Sequence, residues 1–356
     1  MDYDAVVVGA RAAGSATAML LARGGLDVLL VDRADPARDT LSTHALMRGA
    51  VVQLERWGLL DAIVAAGTPA VDRTTFHYGD EAEVVEHPPL YAPRRTVLDP
   101  LLLDAARAAG VTVRLGETVT GLLGGDRVGG IETRGGLRVT APLTVGADGL
   151  RSTVARLVDA GTVRRGRNRS AVVYGYTRWE GPGYEWFFRP GVCAGIIPTN
   201  DGVACVWAGM PPVRFAARRG LDTLFAEVFA EATGGRAVPV DRLRGFPGNP
   251  AVLRTPTGPG WALVGDAGYF KDPLTAHGLT DALRDAELLT RSELVGSDYG
   301  GVRDRHSRLL FSAAEQIAGY RWDLPELRAL QLAQSAASKA EVRMLRRLDE
   351  VEAVAA

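Results

Sequence analysis

The chain has 356 residues, of which 47% are hydrophobic and 23% charged, with a formal net charge of −1. This length supports two domains or one elaborated one, and the composition is that of an ordinary globular protein. The near-neutral balance gives no electrostatic reason to expect nucleic acid or an anionic membrane as a partner.

In chain order, Ala5–Val8 is a short apolar run that reads as a strand buried on both faces. Residues 9–14 turn, Ser15–Arg23 is helical and stops at Gly24 and Gly25, and Leu26–Val31 is a second strand ended by Asp32. Together they predict a βαβ unit of the doubly wound type. Asp39–Ala66 reads as one amphipathic helix with Leu54, Trp57 and Leu60 at helical spacing. Arg73–Tyr78 and Ala82–Glu86 predict a hairpin, Asp99–Ala109 a helix, and Val111–Leu115 a strand. Val119–Val139 predicts a small antiparallel meander, and Leu143–Ala147 another buried strand.

The character then changes. Between Ser170 and Met210 four strand-like segments follow one another across Gly-, Pro- and Asn-rich turns, which predicts a second, aromatic-rich antiparallel sheet. Pro212–Thr233 reads as a helix, Trp261–Val264 as a return to the buried parallel type, and Thr275–Leu294 as a helix. The tail from Val302 is helical, with an interruption at residues 323–325. Its Leu327, Leu330 and Leu332 suit packing on the domain or on a second subunit.

The expected fold class is therefore α/β: a Rossmann-like, doubly wound nucleotide-binding domain with an inserted antiparallel β-sheet domain and C-terminal helices. The nucleotide-binding part is discontinuous, built from residues 1–72, 95–160 and 255–300. The sheet domain takes 73–94 and 161–254, and the helical segment takes 301–356.

Three strand ends carry nucleotide-binding signals. In "VVVGARAAGS", Gly9 makes the tight turn, Ala13 and Gly14 end it, and Gly14 lets helix and strand approach closely; the free N–H groups and dipole of the helix that follows suit a pyrophosphate. Asp32, with Arg33 after it, ends the next strand where a carboxylate reaches ribose hydroxyls. Arg11 stands where such loops carry their middle glycine. Its guanidinium either bonds phosphate oxygens or points to solvent. "GADGLRSTVAR" ends a buried strand at Asp148 and Gly149, and "WALVGDAGYFKDPLTAHGL" ends another at Gly265 and Asp266. Each acid suits cofactor hydroxyls or a helix cap. The loop that follows, with Pro273, Thr275, Gly278 and Leu279, can aim N–H groups at an anionic ring edge.

The order of these motifs resembles the FAD-dependent monooxygenase superfamily of the p-hydroxybenzoate hydroxylase type, which also holds the geranylgeranyl reductases and flavin halogenases. The resemblance spans residues 2–294 and implies a bound FAD. It implies cofactor roles for Gly9, Gly14, Asp32, Asp148, Gly149, Gly265, Asp266, Pro273 and Gly278, and for Arg95 ahead of the following helix. It further implies an electron donor, NADPH or NADH, or a separate flavin reductase as partner. "DPLTAHGL" is closer to the reductase and halogenase branches than to the hydroxylases. Halogenation is disfavoured, because no lysine precedes Lys271 and "RWEGPG" lacks the halogenase Trp-x-Trp-x-Ile-Pro pattern.

The resemblance implies hydroxylation, with O2, of an aromatic or polyketide-like small molecule through a flavin C4a-hydroperoxide. Reduction of a prenyl or other carbon–carbon double bond is the alternative, and flavin binding without turnover a further one. A base that withdraws a phenolic proton assists hydroxylation. His277, inside the flavin loop, and His44, in "STHALMRG", are the candidate catalytic residues; each is equally at home as a hydrogen-bonded structural histidine. Tyr174, Tyr176, Trp186, Phe188 and Trp207 suit the floor of an apolar substrate pocket or plain inter-domain core.

Cys193 and Cys205 form neither a metal-type pair nor a disulfide framework, so no metal is expected. A strand follows the first Met almost at once, leaving no room for a signal peptide, and no apolar run reaches the ~18 residues of a membrane span. The cytoplasm is the expected location, with a homodimer as a further partner expectation.

Overall fold

The structure, a computed structural model, describes residues 1–35 and 40–355. At its centre lies the strand Ala5–Val8, every residue of which is buried. Ala5 and Val7 pack into one core cluster, Val6 and Val8 into another, so the unbroken apolar run reflects two covered faces. Val28–Asp32 and Leu143–Gly146 flank it, both parallel to it. Thr112–Leu115 and Trp261–Leu263 lie outside those, also parallel, and Thr257–Gly258 closes one edge of the six-stranded sheet. On one face pack the helices Ala12–Arg23, Arg95–Ala108 and Gly278–Val295, through residues such as Met19, Leu102 and Leu283. On the other lies the expected meander, Val119–Gly124, Val128–Thr133 and Arg138–Thr140.

A seven-stranded sheet runs in the order Asp241–Phe246, Ala171–Arg178, Val203–Met210, Val192–Pro198, Tyr184–Arg189, Val71–Tyr78, Glu81–Leu90. All its pairings are antiparallel except one: Tyr184–Arg189 runs parallel to Val71–Tyr78, because the hairpin reaches this sheet from an earlier part of the chain. Alternation sorts its side chains. Val172, Tyr174, Cys205 and Trp207 face the core shared with the parallel sheet; Val173, Val206 and Ala208 face the helix Leu221–Thr233.

Two helical expectations change, and the expected break in the tail takes a definite form. Of the stretch expected as one helix, Asp39 lies outside the described residues, 40–47 are not helical, and Arg48–Arg56 and Leu60–Ala65 are separate helices. Gly58, at φ 73°, turns the chain between them. Leu46 bridges to Tyr91, which holds the segment before Arg48 extended. Residues 212–233 likewise split into Pro212–Ala216 and Leu221–Thr233, with Gly220 before the second. The interruption near 323–325 is a helix start: the Glu326 N–H donates to Asp323 Oδ1 (2.8 Å) and the Asp323 N–H to Glu326 Oε2 (3.1 Å), a reciprocal cap. Leu324–Ala355 is the resulting helix.

That last helix is tied to the body of the molecule. Leu327 and Leu345 are fully buried, whereas Leu332 is 66% exposed. Glu341 reaches Arg284 of the helix Gly278–Val295 at 2.8 Å, and the Gln334 side chain donates to the carbonyl of Thr275 at 3.3 Å. Leu345→Ala is expected to cost ~2–4 kcal/mol in urea unfolding, and Leu332→Ala under ~0.5 kcal/mol.

Candidate cofactor and substrate cleft

The registers of the central sheet bring its strand ends level. Val8 pairs with Val31 on one side and Gly146 on the other, and Gly146 pairs with Leu263. The turns that follow therefore open at one edge of the sheet, where a parallel α/β sheet leaves a crevice. A cleft of about 570 Å³ runs along this edge and passes between the two sheets. Its lining includes Gly9, Arg11, Ala13, Asp32, Arg33, Arg95, Asp148, Gly149, Asp266, Pro273, Gly278 and Leu279, twelve of the fifteen expected cofactor residues. Gly14, Gly265 and Thr275 do not line it, for separate reasons.

Gly14 serves packing. A Cβ there would lie 1.7 Å from the Gly9 carbonyl oxygen. Gly9, at φ 109°, has the same problem: its Cβ would meet the Ala147 carbonyl at 2.4 Å. The two glycines let turn, helix and neighbouring strand close on one another, so no larger residue fits. Gly265 sits at φ 58° with Ala13 against it, and its N–H donates to Asp285 at 3.1 Å. Thr275 is buried, and its hydroxyl donates to the Asp272 carbonyl at 3.2 Å.

The three acids differ in what occupies them. Asp32 accepts the N–H of Ala10 at 2.7 Å and of Ala34 at 2.9 Å. Asp148 accepts from the Ser152 hydroxyl (2.5 Å) and from the N–H groups of Thr153 (2.6 Å) and Val154 (3.2 Å), which makes it a helix cap that also lines the cleft. Asp266 accepts no hydrogen bond among the described residues. Its carboxyl stands near the start of the helix Gly278–Val295, 4.0 Å from where a Cβ on Gly278 would lie. Burial and the neighbouring Asp281 push it up to about 6.

Arg11 is turned neither wholly to solvent nor into a tight pair. Its Nη1 stands 3.6 Å from Asp99, which Arg95 grips in fork-like fashion at 2.8–3.0 Å. Asp99 is fully buried and holds two arginines beneath the glycine turn. Arg11 Nη1 is itself buried without a hydrogen-bond partner. The sequence signal for this cluster is the Arg-to-Asp spacing of four residues at the start of a helix, which sequence reasoning passed over.

The expected catalytic histidines do not line the cleft. His44 is fully buried at φ 65°, its Nε2 lying 2.6 Å from the Tyr176 hydroxyl. Its neighbours Thr43 and Ala45 face the cleft instead. His277 is buried with Nε2 3.6 Å from Glu341 of the last helix. The aromatic residues divide in the same way. Tyr174 and Trp207, cross-strand partners, line the cleft with Cys205 and Val172. Tyr176, covered by the Arg94 guanidinium at 3.8 Å, does not line it. Trp186 packs edge-on to Trp207 (5.4 Å) and Phe188 stacks on Tyr78 (5.9 Å), so both are core. Residues 40–43, Cys205, Phe246, Lys271 and Asp272 line the cleft without having been singled out for it.

Among known proteins, a profile of the FAD binding domain family matches residues 2–177. The chain is 30% identical over 308 residues to a digeranylgeranylglycerophospholipid reductase of Methanopyrus kandleri, covering 80% of this chain and 74% of that protein. The chain belongs to the FAD-dependent monooxygenase superfamily. The flavoprotein is also 26% identical over 317 residues to the 3-demethoxyubiquinol 3-hydroxylase of Escherichia coli, covering 83% and 81% of the two chains. In fold it is similar to the flavin-dependent brominase Bmp2, with a TM-score of 0.78 at 18% identity over 99% of this chain and 100% of that one.

The residues present fit FAD. Beside the glycine turn Arg11 Nη1 lacks a hydrogen-bond partner, and Asp266 accepts no hydrogen bond among the described residues while lining the cleft. The pyrophosphate would lie over the turn with Arg11 beside it, and hydroxyls of the cofactor would reach Asp32 and Asp266.

Two predictions follow from this geometry. Because the Asp266 carboxyl is raised from 3.8 to about 6, it favours the folded apoprotein in acid and loses that contribution as pH rises through about 6. Asp266→Asn is therefore expected to raise the melting temperature of the apoprotein at pH 7, with no gain below about pH 4, while weakening FAD binding roughly tenfold or more. Arg11→Ala is expected to weaken FAD binding about tenfold and to flatten its dependence on salt, read by flavin fluorescence titration.

Proposed function

We propose that this flavoprotein reduces a carbon–carbon double bond of an apolar, isoprenoid-like small molecule. The observation that carries the reading is the placement of the two candidate bases. His44 faces Tyr176 and His277 faces Glu341, so neither stands where it would take a phenolic proton. The reading is supported by the reductase among its relatives and by the flavin loop, whose "DPLTAHGL" suits that branch. It departs from the hydroxylation expected from the family resemblance, for which those histidines were the candidate bases.

Bound FAD, once reduced, supplies a hydride. The chain supplies the rest. Tyr174, Trp207, Val172 and Phe246 would pack on the substrate and exclude water from it. The second hydrogen is added as a proton, and the Tyr174 hydroxyl and Cys205 thiol are proton-bearing groups on the same wall. Electrons would come from NADPH or NADH, or through a separate flavin reductase. A second reading, oxygen-dependent hydroxylation, is favoured by the hydroxylase relative.

The test is a single turnover. Dithionite-reduced enzyme, mixed without oxygen with a polyprenyl quinone or polyprenyl lipid, is expected to yield the dihydro product and reoxidised flavin. Product that forms only when O2 is admitted, and that carries an added oxygen atom, overturns the reductase reading and supports the second. Replacing His44 or His277 by Asn is expected to leave the pH profile of the reductive step unchanged, since neither group touches the cleft.

A further inference from the structure

Lysine is rare in this chain: of 41 basic residues only Lys271 and Lys339 are not arginine. Lys271 lies in the flavin loop and lines the cleft, yet its side chain is only 2% exposed. Its ammonium is paired with the carboxylate of Asp281, itself 1% exposed. Asp281 stands in the first turn of the helix Gly278–Val295, whose Gly278, Leu279 and Ala282 line the same cleft. The pair therefore joins the loop to the helix start at the point where both meet the cofactor space.

Other charges pack around it. Arg284 bonds Asp281, Asp285 and Glu341, each at 2.8 Å; His277 faces Glu341; and Asp266 lies close enough to sense both Lys271 and Asp281. Three buried carboxylates, Asp281, Asp285 and Glu341, thus face three buried cations, Lys271, Arg284 and Arg303. Lys271, like the neighbouring Asp266, also borders the cleft. Burial draws the ammonium toward the neutral form, and Asp281 opposes that. Charges this far from water act on the cleft with little screening.

We propose that the Lys271–Asp281 ion pair is a redox-tuning element, setting the electrostatic potential at the flavin loop and with it the reduction potential of the bound flavin. Reduction places negative charge on the flavin ring, so a nearby cation favours it and a nearby anion opposes it. Both residues act through the cofactor, as tuning groups. The inference rests on FAD occupying the cleft and is independent of whether a reductase or hydroxylase reaction follows.

The experiment measures the midpoint potential of the FAD-loaded protein and two variants that keep a hydrogen-bonding side chain. Lys271→Gln removes a cation and is expected to make the potential more negative. Asp281→Asn removes an anion and is expected to make it more positive. The double variant is expected to return close to the unaltered protein. Shifts of the same sign in both single variants, or no shift in either, overturn the proposal, since a merely structural pair would move both alike. Should a single variant fail to retain FAD, Lys271→Arg decides the matter. It keeps the cation, so a potential close to that of the unaltered protein is expected. A large negative shift there overturns the assignment.

Discussion

The close approach of Gly9, Gly14 and Ala147 is the constraint on which the rest of the molecule depends. Gly14 lets the helix Ala12–Arg23 lie directly on the turn, and Gly9 lets that turn lie against the end of the strand Leu143–Gly146. A single methyl at either position would collide with a carbonyl oxygen. Because the two strands pair in register, this contact fixes where the glycine turn and Asp148 stand relative to each other. The next pairing fixes Gly265 and Asp266 in turn. The cleft is thus a consequence of backbone packing before any side chain contributes chemistry.

Charge then differentiates the cleft along its length. Near the glycine turn, one buried carboxylate, Asp99, organises Arg11 and Arg95. Near the flavin loop, a cluster of buried acids and cations surrounds Lys271. Both arrangements bury charges that would be costly alone: Asp99 is met by Arg95 of its own helix and by Arg11, and Arg284 by Asp281 and Asp285 of its own helix and by Glu341 of the last one. The last helix belongs to the second arrangement, since Glu341 closes the cluster and Gln334 holds the loop carbonyl of Thr275. A segment that sequence alone leaves without a role is therefore part of the support beneath the loop.

Apolar surface does the remaining work. The seven-stranded sheet presents Tyr174, Cys205 and Trp207 to the cleft, while Trp186 and Phe188 on the same face are taken up by aromatic neighbours. A flat run of cross-strand partners makes this possible: Trp207 opposes both Tyr174 and Gly195, and the indole lies over the glycine, where a Cβ would be 2.5 Å away. The result is one wall suited to a flat or extended apolar molecule.

The sequence by itself determined the strands Ala5–Val8, Leu143–Gly146 and Trp261–Leu263, the glycine turn and the acids at their ends, because apolar runs and glycine positions are local demands of a buried parallel sheet. It determined the family as well, through the order of those turns. Only the tertiary structure decided which side chains reach the cleft. His44 and His277 sit in segments whose neighbours line it, yet both rings are drawn away by partners far along the chain, Tyr176 and Glu341. Lys271 reaches it from a loop with no local pattern to announce it, whereas Cys205 follows the strand alternation of Trp207. Direction of a side chain in a loop depends on packing between distant elements, and periodicity carries no information about it.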